Sequence, residues 1–331
     1  MKTAAIVGWS GYGELSDLER TVSSKLSLAA GDVIVGSMSL TVPKADPVGV
    51  ARKLAYLPGV DWVAAGYEFD GEAGLAARLQ LLAKRYLRRD STFKLTAQVE
   101  QSDRKEGDIL LDGNGAILKS VTGTRVDEKS PDVTFRILEV KGEGAVGVQL
   151  KEGPRGVPTS RGLRAACLVS GGYHSAVTAW MAALSGYTVT LVHARADDES
   201  LRQVARLYAE LSRRIDAASL KLEVLDGAGA PGERLSAWLD SAKGDILSGV
   251  HPECRGKGAR QVLDRYPSVL TPLLLLQEDE VRRRLDSLGI KLKAVDASPT
   301  VSLTGKKARY VIRRFGGVEA DINGVIDGIL S

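Results

Sequence analysis

Six residues near the middle of the chain, Ser170-Gly171-Gly172-Tyr173-His174-Ser175, have the types and spacing to hold an anion. They follow an apolar run, Ala165 to Val169, and precede a helical stretch, Ala176 to Leu184, closed by Ser185-Gly186. A second β-branched run, Val189 to Val192, comes next. Strand, small polar loop, helix and strand within about 30 residues predict a βαβ unit. The loop would then lie at the N-terminus of the helix, where backbone N–H groups and the helix dipole favour negative charge. Gly171 and Gly172 carry no Cβ, so a phosphate could approach the backbone. His174 has no acid partner evident in the sequence and reads as a surface polar residue at a helix start.

Other reactive side chains are few. Cys167 and Cys254 are the two cysteines, neither in a CxxC pair, so neither a disulfide framework nor a cysteine-built metal site is expected. Cys167 lies in an apolar strand and reads as core. Cys254 sits among Glu253, Arg255 and Lys257, a context that lowers a thiol pKa. Two basic clusters stand out: Lys84, Arg85, Arg88 and Arg89, and Lys306, Lys307, Arg309, Arg313 and Arg314. Four cations within two helical turns suit nucleic-acid phosphates, although such runs are commonly solvated faces. Trp9, Trp62, Trp180 and Trp238 are scattered and form no stacking platform for single strands. Structured RNA, read by shape and phosphate, fits better.

The elements that would position these residues alternate strand and helix. Lys2 to Gly8, Val33 to Val42 and Val60 to Phe69 read as strands around helices Glu14 to Leu28 and Pro47 to Leu57, a small ferredoxin-like α/β domain. A helix over Gly74 to Arg89, a strand over Phe93 to Val99, a helix over Asp112 to Val121 and strands over Val133 to Val140 and Ala145 to Leu150 follow. Glu152 to Pro158, rich in Gly and Pro, reads as a linker. Beyond the βαβ unit come helices Glu199 to Ala217, Glu233 to Ala242, Gly258 to Tyr266 and Glu278 to Leu288, with strands Leu220 to Leu225 and Asp245 to Val250, and Val269 to Leu276 as an apolar strand or turn. That alternation predicts a doubly wound, mainly parallel sheet.

Composition is ordinary for a soluble globular protein of 331 residues, with 44% hydrophobic and 26% charged residues. No apolar run approaches the ~18 residues of a membrane span. The N-terminus has no signal-peptide pattern, so the expected compartment is the cytoplasm. Residues 1–158 carry 21 Lys and Arg against 21 Asp and Glu, and residues 159–331 carry 24 against 20. Nucleic-acid contact would therefore come from local patches.

Ser170-Gly-Gly-x-x-Ser175 after a strand resembles the SGGxDS loop of PP-loop ATP pyrophosphatases. Gly153-Pro-Arg-Gly-Val-Pro158 before LVSGG, and AVTAWMAALSGYTVTLVHA after it, resemble the tRNA 4-thiouridine synthetase (ThiI) family. Tyr12-Gly-Glu-Leu15 is similar to that family's entry to its ferredoxin-like domain, and Lys129 to Arg136 to its THUMP "NPDV" strand. Leu270 to Leu273 with Glu278-Asp-Glu280, and Ser298-Pro-Thr-Val301, are similar to its "RPL…K-E-E" and "SPTV" segments. The ordered set covers nearly the whole chain.

The resemblance implies a ferredoxin-like domain over 1–70, a THUMP RNA-binding domain over 71–152 and a Rossmann-like PP-loop domain over 153–331. It implies tRNA as partner and ATP with Mg²⁺ as cofactor. Leu168, Val169, His193 and Ala194 would line the adenine pocket, with Ser170, Gly171, Gly172, Tyr173, His174 and Ser175 at the phosphates. Gly249 would belong to the family's TGE turn, Gln261 would stand for a downstream Gln and Arg234 for a basic nucleotide contact.

The departures fall where chemistry is needed. His174 replaces the loop's acid, Val250 the Glu of TGE, and Ala294 to Ala297 hold no cysteine before SPTV. Gln98 to Gln101 replace a more basic THUMP pattern. Imidazole is a poor Mg²⁺ ligand. The expectation is a diverged tRNA-binding member with impaired adenylation and no assigned catalytic residue. An active sulfurtransferase fed by an external sulfur donor, and a nucleotide-binding scaffold, remain open, as does a homodimer.

Overall fold

The computed structural model describes residues 2–29, 32–100, 105–159, 162–216, 218–242, 244–249, 269–273, 275–288 and 310–315. The chain divides into two compact units, Met1–Pro158 and Thr159–Ser331.

In the first unit β1 (Thr3–Trp9), α1 (Leu15–Leu26), β2 (Ile34–Val35), β3 (Ser39–Pro43), α2 (Pro47–Leu54) and β4 (Val60–Asp70) come first. Then follow α3 (Gly71–Tyr86), β5 (Thr92–Glu100), α4 (Glu106–Ser120), β6 (Arg125–Val126), β7 (Val133–Val140) and β8 (Glu143–Arg155). One eight-stranded mixed sheet, β2-β3-β1-β4-β8-β7-β5-β6, runs through all of them. The sequence-read divisions 1–70 and 71–152 thus share a sheet, joined where β4 pairs antiparallel with β8. Strand alternation sorts the residues. Ala5 and Val7 of β1 pack with Leu18 of α1 and Leu54 of α2, whereas Ala4 and Ile6 pack with Trp62.

Two expectations change here. The stretch Val33 to Val42 is two antiparallel strands, because Glu100 Oε1 accepts hydrogen bonds from both the N–H and the hydroxyl of Ser37 at 2.7 Å and holds a turn there. Glu152 to Arg155 is not linker but the end of β8, paired to Val60 and Trp62. Pro154 is tolerated because β7 pairs β8 only as far as Val148, which leaves that side of the strand without a ladder partner.

In the second unit β9 (Arg164–Leu168), α5 (Tyr173–Leu184), β10 (Thr188–Ala194), α6 (Asp198–Ser212), β11 (Leu220–Gly227), α7 (Pro231–Leu239), β12 (Asp245–Ser248), α8 (Glu278–Leu288) and β13 (Tyr310–Phe315) are described. The sheet is parallel, in the order β12-β9-β10-β11-β13. Ala165 and Cys167 of β9 pack in a core with α5 and α6, while Ala166 and Leu168 face Trp238 and Leu239 of α7. Helices therefore cover both faces, as a doubly wound sheet requires. Order reverses between β9 and β12, which makes their carboxyl ends the topological switch point where ligands of such sheets bind.

Among the described residues no helix is long and apolar enough to cross a membrane. The expected helix Gly258 to Tyr266, Gln261, Cys254, Val250, Ala294 to Val301, Lys306, Lys307 and Arg309 lie outside the described residues.

Candidate nucleotide site

The loop after β9 occupies the switch point. α5 begins at Tyr173, three residues before the sequence-read start, so Tyr173, His174 and Ser175 form its first turn. The Ser170 N–H donates to Ser175 Oγ (3.3 Å) and closes the loop. The two glycines have different jobs. Gly171 is buried at φ +88°, and a Cβ there would fall 2.6 Å from Gln203 Cβ of α6, so fold and packing both require glycine. Gly172 has φ −76° and is exposed, and an added Cβ would come within 4 Å only of Ser170 Oγ (3.8 Å). Its bareness answers no need of the fold and leaves room beside the helix N-terminus. Gly249, after β12, lets that strand's end abut α5: a Cβ there would lie 2.9 Å from the backbone of His174 and Ser175.

Four residues expected at a base come together at the ends of β9 and β10. Leu168 pairs with Val192, and the Val169 N–H donates to Val192 O (2.9 Å). His193 is 3% exposed, and its Nδ1 lies 3.0 Å from Val169 O. A carbonyl can only accept, so Nδ1 carries the proton and Nε2 the lone pair. That buried Nε2 has no partner among the described residues. Burial holds the His193 pKa below the usual imidazole value against the opposing bond to Val169, so the ring is a neutral acceptor. Leu168 and Ala194 are half-buried beside the Trp238 cluster.

Arg234 is placed differently from a nucleotide contact. It is 6% exposed, and its guanidinium donates to Gly227 O (2.7 Å), Gly229 O and Arg195 O. It ties the ends of β10 and β11 together. Arg195 in turn bonds Asp226 (3.0 Å) and Asp198.

His174 does have an acid partner, contrary to the sequence reading. Its Nε2 lies 3.0 Å from Glu278 Oε2 at the start of α8. Glu278 Oε1 accepts from the Tyr173 hydroxyl and from Arg282 Nε (3.1 Å). Burial acts to raise the Glu278 pKa, but the hydrogen bonds from Tyr173 and His174, with Arg282, outweigh it and hold the carboxyl below its usual range. α8 is fixed at both ends. Val281 packs with Val177 of α5, and buried Arg214 donates to Leu288 O (2.8 Å), a cation at a helix C-terminus. Neither Glu278 in this role nor Arg282 was identified from sequence; the acidic start Glu278-Asp-Glu280 was visible, its partner 104 residues away was not.

In the first unit Lys84, Arg85, Arg88 and Arg89 are all exposed, at the end of α3 and in the turn to β5. None makes an ion pair among the described residues, so their charge faces solvent. Arg313 and Arg314 lie in β13, in register with Leu225 and Asp226. A separate cavity of about 460 Å³ is lined by Trp62, Thr96, Gln98, Glu100 and Arg136, whose guanidinium stacks 4.6 Å over Trp62.

No family model matches the chain. A probable tRNA sulfurtransferase of Levilactobacillus brevis is 25% identical over 57% of this chain and 47% of its own length. One of Nocardia farcinica is 29% identical over 51% and 44%. The chain is thus similar, at low identity, to ThiI-type tRNA sulfurtransferases. It spans about half the length of the curated relatives it matches. The ThiI-like architecture also appears in solved structures. PH1313 of Pyrococcus horikoshii matches at TM-score 0.72 and 18% identity, over 88% of this chain and all of that one. A 4-thiouridine synthetase in complex with RNA and bound ATP matches at 0.67 and 17%, over 87% and 85%. These likenesses place the fold, THUMP with a Rossmann-like PP-loop sheet.

Proposed function

We propose that the chain is a cytoplasmic, tRNA-binding ThiI-like protein that holds ATP at the loop Val169 to Ser175 and is impaired in adenylating RNA. Residues 1–70 and 71–152 serve as its ferredoxin-like and THUMP parts, and 153–331 as its nucleotide part. The observation that carries the reading is His174, held 3.0 Å from Glu278, in the place where the resemblance puts an acid. The phosphates would meet Gly172 and the first turn of α5, and the base would meet Leu168, Val169, His193 and Ala194. An adenine amino group is the kind of donor the His193 Nε2 lacks. Lys84, Arg85, Arg88 and Arg89 supply a cationic surface for tRNA phosphates, with Arg313 and Arg314 as further contacts.

A second reading, an active uridine sulfurtransferase, would need sulfur from an external donor. Cys167 is fully buried and its thiol is pushed up to about 12 by desolvation, so it does not carry sulfur. Anisotropy titration of labelled tRNA, with and without ATP, tests the main reading. Salt-sensitive tRNA binding and saturable ATP binding are expected; absence of both removes it.

A further inference from the structure

We propose that the α5 loop takes its nucleoside triphosphate as the metal-free anion, because the Glu278-held imidazole of His174 stands where a magnesium-binding carboxylate is expected. This rests on the nucleotide reading above.

Mg²⁺ demands near-octahedral oxygen ligands and is held through one or two carboxylates. At this loop the side chain in the acid's place is an imidazole, which offers nitrogen. Among the described residues the carboxylate brought to this loop is Glu278, and both of its oxygens are engaged: Oε1 by Tyr173 and Arg282, Oε2 by His174. An ion entering there would have to displace these donors. Among the described residues no group of three or more His, Cys, Asp or Glu side chains comes together as a metal site. The family's magnesium therefore does not fit these residues.

The same groups suit a bare polyphosphate. Arg282, paired to Glu278, brings a guanidinium beside the Tyr173 ring in the first turn of α5. The helix N-terminus adds to it, and exposed Gly172 leaves the approach open. A magnesium ion on the ligand would cancel part of the negative charge that these groups attract.

Titration calorimetry of the full chain with ATP, in EDTA and in excess Mg²⁺, tests this directly. Binding in EDTA at least as tight as in Mg²⁺ is the expected result. Binding tighter in Mg²⁺ by about tenfold or more would overturn the proposal and leave the nucleotide reading standing. No binding in either buffer would overturn both. As a second readout, Mn²⁺ with ATP should show no protein-bound ion by electron paramagnetic resonance in the natural protein. His174→Asp should gain one, with its fold checked by thermal melting. If that variant does not fold, a bound Mn²⁺ signal in the natural protein still contradicts the proposal.

Discussion

Glu278 Oε2 sits 3.0 Å from His174 Nε2 and joins the first turn of α8 to the first turn of α5 across 104 residues of chain. The pair is 15–16% exposed, so it is neither a solvated surface contact nor a fully desolvated one. A carboxylate at position 174 would instead face the Glu278 carboxylate across that distance.

Glu278→Gln should destabilise the second unit by about 1–3 kcal/mol at neutral pH, because charge-assisted hydrogen bonds become neutral ones. The Glu278 pKa is lowered in the folded protein, from an ordinary 4.5. Its stabilisation is therefore present above that ordinary value and is lost as pH falls through the lower, folded value. Chemical denaturation from pH 7 downward should show a shallower acid decline in the variant.

The loop glycines should separate stability from binding. Gly171→Ala should cost about 1–3 kcal/mol, from a positive φ and a Cβ 2.6 Å from Gln203. Gly172→Ala should stay within about 0.5 kcal/mol of the parent. It should nevertheless weaken ATP binding by about tenfold, measured by calorimetry.

His193 should be a neutral Nδ1–H tautomer at neutral pH, visible in long-range ¹⁵N–¹H spectra of the ring. Its folded pKa lies below the usual 6.5, so its contribution is fully present above 6.5 and is lost as pH falls through the folded value. An imidazole that titrates at or above 6.5 would contradict the buried, Val169-bonded ring.

Charge reversal at Lys84, Arg85, Arg88 and Arg89 should leave stability nearly unchanged, since all four are exposed. It should weaken tRNA binding and flatten its dependence on salt by a slope of roughly one for each phosphate that is no longer neutralised. Anisotropy at several salt concentrations measures both.

Much of this was legible in the sequence where local pattern decides structure. The run Glu278 to Leu288 is helical because Val281, Leu285 and Leu288 recur on one face, and the structure has that helix. The apolar runs from Ala165 and Val189 are neighbouring parallel strands. Legibility failed where a distant residue decides. The alternation in Val33 to Val42 conceals a turn that Glu100 holds. The Gly-Pro pattern of Glu152 to Arg155 suggests a linker, but β4 pairs with it. Arg234 reads as a ligand contact by position, and three carbonyls engage it instead. The acid beside His174 is not visible in the sequence, because Glu278 comes to it only through the packing of α8 on α5.

The proposal that a Glu278-held histidine in the loop after β9 impairs adenylation is tested most directly by pyrophosphate release. The protein with tRNA, ATP and Mg²⁺ should bind both ligands and release no pyrophosphate above the tRNA-free background. Sustained, tRNA-dependent pyrophosphate release by the natural protein would contradict it.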